Sequence, residues 1–201
     1  MTLTRKEEYA AATRAALVEV ARRLFATRGY AEVSIDEIVQ GARVTKGALY
    51  HHFADKQTLF RAVVETIEVE LAARVRAASS GSPRPWPQLV DACHAFLDAY
   101  LDRDVQRIVV LDAPSVLGWK TCCELDKLHA LGVLEERLAA TRDAGLLEPQ
   151  PIETAAQLLL GAINVAGRVI AEAQDGAASR AMVGQTIERL LSGLKKKSRT
   201  R

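Results

Sequence analysis

The sequence has little of what defines several protein classes. It has three cysteines among 201 residues, Cys93, Cys122 and Cys123, and their odd number and spacing argue against a disulfide framework. Aromatic residues make up 5% of the chain. No apolar run approaches the roughly 18 residues of a membrane span, and the first ten residues lack the apolar segment of a signal peptide. We therefore expect a soluble, cytoplasmic protein.

Motifs of catalytic, cofactor-binding and metal-binding sites are also scarce. No glycine-rich phosphate loop and no metal-spaced cluster is present, so the sequence predicts no cofactor, no metal and no catalytic residue. The pairs Asp91 with His94 and Asp126 with His129 are three residues apart, which suits ion pairs on a helix surface better than a nucleophile and its base. Adjacent Cys122 and Cys123 would point in different directions on a helix. We read them as small packing residues rather than a redox or metal site.

Helical periodicity dominates what is present. Apolar residues recur at a spacing near 3.6, and the alternation typical of strands hardly occurs. The fold class expected is all-α. The predicted helices span 13–28, a short segment starting after Ser34, 46–52, a segment from Lys56 into the 70s, 88–101, 105–112, 115–144, 152–174 and 178–194.

Breaks in this pattern suggest two domains. A stretch rich in serine, glycine and proline at 77–87 is the best internal linker. We expect an N-terminal tri-helical domain over 1–55, with the helix from Lys56 connecting it to a second helical domain over 56–194. Residues 195–201, KKKSRTR, read as a basic disordered tail, which could add non-specific affinity for phosphate.

The segment from Ser34 to Phe53 carries the sharpest functional pattern. Ser34 with Glu37 forms a capping-box signature, and Thr45 can cap the next short helix, in which Leu49 is the main inward residue. Two helices joined by such a turn match a helix-turn-helix, whose second helix enters the DNA major groove.

The outward face of the second helix suits this role. Gly47 and Ala48 lack bulk and would let the backbone approach bases, while Lys46, Tyr50 and His51 supply donors. Exposed N–H groups at the expected helix starts near Thr13, Ser34 and Lys56 are further places for phosphate, although an ordinary tri-helical bundle could contain the same turn.

The span from Ala16 to Phe60 resembles the DNA-binding domain of the TetR family of transcriptional repressors. The resemblance rests on the "LF…RGY" end of the first helix, the "SIDEI" start of the second and "VTKGALYHHFADKQTLF". It implies a recognition helix formed by Thr45, Lys46, Gly47, Ala48, Tyr50 and His51, and phosphate contacts from Thr13, Ser34 and Lys56.

One departure from the family pattern is visible in the turn. Arg43 stands where the family usually has glycine. If Arg43 is left-handed, this conformation costs about 1 kcal/mol or more, and contact of its charge with phosphate would recover part of that cost.

The resemblance implies that the C-terminal region binds a ligand and dimerises. Two helices with broad apolar faces and small residues favour a four-helix interface across a two-fold axis, although a terminal hairpin inside one subunit would look similar. The residues expected at the dimer interface are Leu158, Gly161, Val165, Met182, Thr186 and Leu190.

A small, largely apolar effector is expected in the same region. The residues expected around it are Phe96, Tyr100, Val116, Leu117, Trp119, Cys122 and Asn164, although a tryptophan such as Trp119 is more often part of a core. Ligand entry near Trp119 is expected to change the spacing of the two DNA-binding heads.

Together these patterns predict a homodimeric DNA-binding transcription factor, most consistent with a repressor that leaves a double-stranded operator when its effector binds. Two alternatives remain: a DNA-binding regulator without an effector, and a small helical enzyme.

Overall fold

The regular structure of the chain is helical, which confirms the all-α fold. The computed structural model describes residues 4–196. Within this range the only β-type pairing is an isolated antiparallel bridge between Leu147 and Lys195. The helices are α1 (Arg5–Arg28), α2 (Ile35–Ala42), α3 (Lys46–His52), α4 (Lys56–Ala78), α5 (Pro85–Ala99), the π-helix π1 (Val105–Asp112), α6 (Ala113–Leu128), α7 (Leu131–Asp143), α8 (Ile152–Ala171) and α9 (Gly176–Leu194).

The first compact unit is built around the first three helices and the start of α4. It comprises the described residues up to Ile67 together with Arg103–Lys120. Helices α1, α2 and α3 pack on one another, and π1 packs on α1. The apolar stripes of the sequence meet in the core, so the unit buries Leu17, Ala21, Phe25, Ile38, Leu49, Phe53, Leu59, Phe60 and Val63.

The segment 103–120 belongs to the first unit, whereas it was expected in the second domain over 56–194. Two long-range polar contacts hold it there. The Arg22 guanidinium pairs with the Asp104 carboxylate at 2.5 Å, and the Tyr30 N–H donates to the Asp112 carboxylate at 2.8 Å. The sequence pattern could not show that residues 103–120 pack on the first unit, because each contact joins residues 82 positions apart.

The second unit comprises Glu68–Asp102 and the described residues from Thr121 onward. Helices α5, α7, α8 and α9 pack on one another around its core. The division between the units falls within α4, between Ile67 and Glu68, and not at the predicted boundary between residues 55 and 56. The buried apolar side chains of this unit include Leu89, Phe96, Leu97, Leu134, Leu138, Leu160, Ile163 and Leu191.

The stretch predicted as a linker is an ordered loop inside the second unit. Between the end of α4 and the start of α5, Ser79 is fully buried. The Arg137 guanidinium on α7 donates to the Ser79 hydroxyl at 3.1 Å and to the Gln88 side chain at 3.2 Å. Serine and proline therefore mark a tight connection rather than a division between domains.

The predicted single helix over 115–144 is interrupted twice. Gly118 lies within α6 with φ 79° and ψ 158°, a backbone conformation that glycine adopts without a Cβ clash. A second break separates the end of α6 at Leu128 from the start of α7 at Leu131. Ala130 occupies the cap position there without a side-chain cap, so no capping residue signalled the break.

Helix α8 has the length and composition of a helix that could cross a membrane. It nevertheless packs against α5, α7 and α9, and Ala156, Ile163 and Ile170 on one face are buried. The helix therefore serves as a core helix of the second unit.

The tail predicted as disordered from residue 195 begins with ordered residues. The Lys196 N–H donates to the Leu146 carbonyl at 2.8 Å, and the Lys195 ammonium lies 4.6 Å from the centre of the Trp86 ring. Residues 197–201 of the predicted tail lie outside the described residues.

Candidate nucleic-acid interface and effector site

The turn between α2 and α3 has the backbone conformation that the sequence suggested. Arg43 has φ 56° and ψ 40°, and it is the only non-glycine residue with a positive φ among residues 4–196. Its N–H donates to the Gln40 carbonyl at 3.2 Å, and the Val44 N–H donates to the Val39 carbonyl at 3.0 Å. The left-handed residue thus ends α2 and turns the chain into α3, with the Arg43 side chain exposed.

Helix α3 is anchored by its inward residue and capped at its start. The Thr45 hydroxyl accepts a hydrogen bond from the Ala48 N–H at 3.1 Å, as expected of an N-cap. Leu49 is fully buried, and Phe53 just after the helix is also buried. These contacts fix the rotation of a helix that has only seven residues.

The rotation of α3 leaves a polar face exposed. Lys46, Gly47, Tyr50 and His51 are exposed, and Ala48 is half-buried. The face therefore offers an ammonium, a phenol and an imidazole around a position without a side chain. These are donors and acceptors suited to phosphates or base edges.

Lys46 also has a partner within the protein. Its ammonium lies 2.7 Å from the Asp36 carboxylate on α2, and the hydrogen bond and charge of Asp36 raise the pKa of Lys46. Both side chains are exposed, so this ion pair is screened by solvent. Lys46 can exchange Asp36 for a phosphate without leaving a buried charge unpaired.

Thr13 is not at the start of a helix. A capping box formed by Thr4 and Glu7 begins α1 at Arg5, eight residues earlier than predicted, and the Thr13 hydroxyl donates to the Tyr9 carbonyl at 2.9 Å. The free N–H groups on which its predicted phosphate contact depended are absent there, because residues 5–12 already form the preceding turns.

Ser34 does cap α2, but its groups are already engaged. Its N–H and its hydroxyl both donate to the Glu37 carboxylate, at 2.9 Å and 2.8 Å. Arg28 pairs with the same carboxylate, and these hydrogen bonds lower the pKa of Glu37 to about 2. A phosphate at the Ser34 N–H would therefore meet a resident anion, which argues against the predicted contact.

Lys56 points into the first unit rather than out toward a phosphate. Its ammonium donates to the carbonyls of Tyr30 and Val33, both at 2.9 Å, and lies 4.1 Å from the centre of the Tyr30 ring. The side chain is half-buried. In the fold it satisfies carbonyl groups of the α1–α2 connection, and the phosphate contact predicted from the sequence stays a prediction.

The residues predicted to surround an effector are divided between the two units. Val116, Leu117 and Trp119 belong to the first unit, and the other four belong to the second. Trp119 is 77% exposed, so it neither joins the core nor lines an enclosed cavity. It follows Gly118, whose positive φ breaks the helical register of α6 and changes the direction of the chain just before the tryptophan.

Within the second unit, three of the predicted residues surround a buried polar network. The Tyr100 hydroxyl donates to the Asn164 side-chain carbonyl at 2.9 Å, and the Asn164 amide donates to the Asp126 carboxylate at 3.1 Å. Burial raises the pKa of Cys122 to about 11, and the charge of Asp126 adds to this effect. Phe96 is fully buried and contributes to the core.

Glu68 interacts electrostatically with Asp126 of this network, and no sequence pattern marked it as a functional residue. It is 5% exposed on α4, among positions of the apolar face of that helix. Burial and the negative charge of Asp126 raise the pKa of Glu68 to about 8. We name Glu68, Asp126, Tyr100, Asn164 and Cys122 the acidic cluster. The cluster is polar, and the largely apolar effector expected from the sequence stays a prediction.

The six residues predicted at a dimer interface are all exposed on the second unit. Leu158 is 72% exposed and Val165 is 66% exposed on α8, and Met182 and Leu190 are exposed on α9. Gly161 and Thr186 are exposed between them. The two helices pack together, so a monomer presents an apolar surface to water there.

Comparison with known proteins gives two family matches. The profile of bacterial regulatory proteins of the tetR family matches residues 17–63, and the profile of the tetracyclin repressor-like C-terminal domain matches residues 86–194.

Similar individual proteins agree with these matches. A crystal structure of a TetR-family transcriptional regulator from Pectobacterium atrosepticum is 36% identical with a TM-score of 0.86, and the match covers 98% of this chain and 100% of that one. The HTH-type transcriptional repressor BepR of Brucella suis is 27% identical over 81% of this chain and 82% of its own length. The TetC protein of transposon Tn10 from Escherichia coli is 33% identical over a match that covers 61% of this chain and 60% of the length of TetC.

Replacement of Lys56 tests its internal role. We expect Lys56→Ala to lower the free energy of unfolding by about 2–3 kcal/mol, because two charge-assisted hydrogen bonds are lost and two carbonyls lose their donor. Urea denaturation of purified protein measures this. Lys46→Ala, which removes an exposed lysine, is the control and should unfold at nearly the wild-type urea concentration. Equal unfolding midpoints for the two variants would contradict the assignment.

The pKa of Glu68 predicts a pH dependence of stability. The folded protein keeps a proton on Glu68 up to about pH 8, whereas the unfolded chain releases it near the ordinary value of 4.5. The folded state thus binds more protons within this window, and the stabilisation from Glu68 falls as pH rises through it.

The variant Glu68→Gln removes this titration. We expect its thermal midpoint relative to wild type to rise steadily between about pH 5 and pH 8. Glu124→Gln, an exposed change on α6, is the control and should show a constant difference. A pH-independent difference for Glu68→Gln would show that Glu68 is ionised throughout this window.

Proposed function

Because the chain belongs to the TetR family of bacterial transcriptional regulators, we propose that it binds a near-palindromic operator as a homodimer and leaves it when an effector binds. The observation that carries this proposal is the face of α3, where Lys46, Tyr50 and His51 are exposed around Gly47 while Leu49 locks the helix to the core. Repression is the sign of regulation we propose, as in the repressor BepR. A DNA-binding regulator of this kind acts in the cytoplasm.

A short recognition helix favours a symmetric site. Seven residues reach only a few base pairs, so a single copy of α3 reads too little sequence for useful specificity. Doubling the helix by two-fold symmetry places two copies about 34–36 Å apart along one face of the duplex. We assign sequence reading to Lys46, Gly47, Ala48, Tyr50 and His51, and backbone contact to Thr45 and exposed Arg43.

The exposed apolar face of α8 and α9 is the surface we propose for dimerisation. Leu158, Gly161 and Val165 recur at helical spacing on α8, and Met182, Thr186 and Leu190 do so on α9. Two such helix pairs related by a two-fold axis form a four-helix interface that removes these side chains from water.

Helix α4 supplies the route by which an effector acts on the operator. It is continuous from Lys56, which is bonded within the first unit, to Glu68 and beyond in the second. A change in position of α4 at the acidic cluster would move its first turns, and with them the carbonyls bound by Lys56. A coupling free energy of about 1–3 kcal/mol between the two sites is typical of such regulators.

Variants of α3 test DNA recognition. We expect Lys46→Ala and Tyr50→Ala each to weaken operator binding by about ten- to a hundredfold, because each removes a contact to a base edge or phosphate. A selection for bound duplexes followed by fluorescence anisotropy measures this. Lys127→Ala, which removes an exposed lysine of the second unit, is the control. Selection of single asymmetric sites, or wild-type affinity in both variants, would refute the assignment.

Charge placed on the apolar face tests the dimer. We expect Val165→Glu and Leu158→Glu to convert the dimer to a monomer, because each would bury an unpaired carboxylate in the interface. Light scattering coupled to size-exclusion chromatography measures the mass. Leu128→Glu, at another exposed leucine of the second unit, should remain dimeric. A monomeric wild type, or variants that all stay dimeric, would place the interface elsewhere.

A further inference from the structure

A surface cavity of the first unit lies between the end of α1 and the segment that forms π1. It has a volume of about 230 Å³, and residues from 26–28 and from 103–111 line it. Pockets that enclose a drug-sized molecule are usually larger, roughly 300–1,000 Å³. The size of this cavity therefore suits a compact ligand.

The wall of this cavity is positively charged. Three of the residues that line it are arginines, Arg28, Arg103 and Arg107, and none of the described lining residues is an aspartate or a glutamate. Arg28 is the last residue of α1, Arg103 lies just before π1 and Arg107 lies on it. We name this site the arginine cavity. Such a wall attracts anions.

The protein uses two of these arginines to different extents. The Arg28 guanidinium pairs with Glu37 and donates to the Glu32 carbonyl at 2.5 Å. Arg103 is exposed, and its side chain has no ion pair and no hydrogen bond to any of residues 4–196. Arg28 therefore contributes charge to the wall, whereas Arg103 keeps all of its side-chain N–H donors available for a ligand.

Arg107 is held at the cavity while most of its donors stay available. Its Nε lies 3.4 Å from the Asp112 carboxylate, which also accepts the Tyr30 N–H at 2.8 Å. The end of its guanidinium lies against Gly29, where an added Cβ would come within 1.9 Å of Nη2. Gly29 thus makes room for this guanidinium. Within residues 4–196, no oxygen accepts a hydrogen bond from the Nη groups of Arg107.

The acidic residues beside the cavity do not cancel its charge. Glu37 pairs with Arg28 and Asp112 pairs with Arg107, which gives one carboxylate to each of these guanidinium groups. Arg103 has no carboxylate partner in the part of the chain that the structure describes. An anion in the cavity would therefore meet an excess of positive charge as well as unused donors.

We propose that the arginine cavity binds a phosphate group through the guanidinium groups of Arg103 and Arg107. A phosphate monoester has three terminal oxygens and up to two negative charges, so it matches two guanidinium forks better than a carboxylate does. The phosphate belongs either to a small molecule, which goes beyond the proposed function, or to the DNA backbone, which rests on it. Both sources present the same group to the cavity.

A bound phosphate would join two parts of the first unit. The cavity has residues of α1 on one side and residues of the 103–120 segment on the other, and π1 packs on α1. A ligand that contacts both sides binds the folded first unit and not the unfolded chain. Its binding therefore stabilises the packing of this segment on α1.

Calorimetric titration of the full chain without DNA tests the cavity. The probes are inorganic phosphate and phenyl phosphate, added in a phosphate-free buffer at one ionic strength set with sodium chloride. Benzoate, which carries a carboxylate on the same ring, is the comparison compound. We expect phenyl phosphate to bind at least about fivefold more tightly than benzoate, because its third oxygen and second charge add a charge-assisted contact.

Matched variants locate the site. We expect Arg103→Ala and Arg107→Ala each to weaken binding of both phosphate probes about tenfold or more, because each removes a guanidinium contact. Arg23→Ala is the control, since it removes the same charge from an exposed position of α1 outside the cavity. It should bind the probes within about twofold of wild type. Circular dichroism shows whether each variant is folded.

The salt dependence of operator affinity identifies the source of the phosphate. Fluorescence anisotropy gives the slope of log affinity against log salt concentration for each variant. A slope smaller by about one in Arg103→Ala or Arg107→Ala, and unchanged in Arg23→Ala, assigns the phosphate to the DNA backbone. Unchanged slopes, together with phenyl phosphate binding that requires these arginines, assign it to a small molecule.

Three results would overturn the proposal. The first is that wild type binds the phosphate probes no better than the folded cavity variants while the salt slopes are also equal. The second is an equal loss in Arg23→Ala, since net charge would then explain the binding. The third is equal affinity for phenyl phosphate and benzoate with unchanged salt slopes. Failure of the chain to bind any duplex refutes the proposed function, and the calorimetric result alone then decides on the cavity.

Discussion

The arrangement of the first unit depends on one ammonium group. The Lys56 side chain extends from the first residue of α4 and binds the carbonyls of Tyr30 and Val33, so it closes the connection that leads from α1 into α2. The rings of Phe25, Tyr30 and Phe60 pack on one another with centres 4.9–5.7 Å apart, and the Lys56 ammonium lies over the Tyr30 ring. Since α2 starts two residues after Val33, the position of the helix-turn-helix follows from this contact. The Lys56 charge therefore acts inside the first unit, where it fixes the start of the helix-turn-helix.

The second unit contains a buried carboxyl group, Glu68, whose pKa is raised so that it stays protonated near neutral pH. Core positions filled by leucine would be more stable than a carboxyl group whose pKa is shifted to about 8. The surrounding helices α5, α7, α8 and α9 pack as an ordinary apolar core, so Glu68 is a polar exception among buried side chains.

Local signals in the sequence were enough to predict much of the DNA-binding head. The capping residues Ser34 and Thr45 and the inward Leu49 depend on neighbours within a few positions, and each was predicted correctly. The left-handed conformation of Arg43 was considered as a condition and is what the structure shows. The predicted exposure of the α3 face followed from the same short-range periodicity. The predicted start of the first helix at Thr13 was wrong for a local reason as well. The capping box at Thr4 starts α1 at Arg5, before the apolar stripe begins.

Features set by distant parts of the chain could not be predicted. Lys56 meets carbonyls 23 and 26 residues away, and Tyr100 meets a side chain 64 residues away. Periodicity places Glu68 on an inward face but does not reveal which groups surround it. Trp119 is exposed because Gly118 breaks the helical register, and composition alone does not show that break.

The first unit is formed by two separate segments of the sequence. This limits which segments recombination can exchange between related proteins. The Tyr30 N–H depends on Asp112 and the Arg22 guanidinium depends on Asp104, so the head includes residues that lie beyond the first segment of the second unit. A chimera that joined the first 67 residues to another C-terminal region would lose the contact of Asp112 with the Tyr30 N–H and the contact of Asp104 with Arg22. Recombination that preserves the first unit must therefore carry residues 103–120 with it, so exchange of one contiguous segment cannot transfer this unit intact.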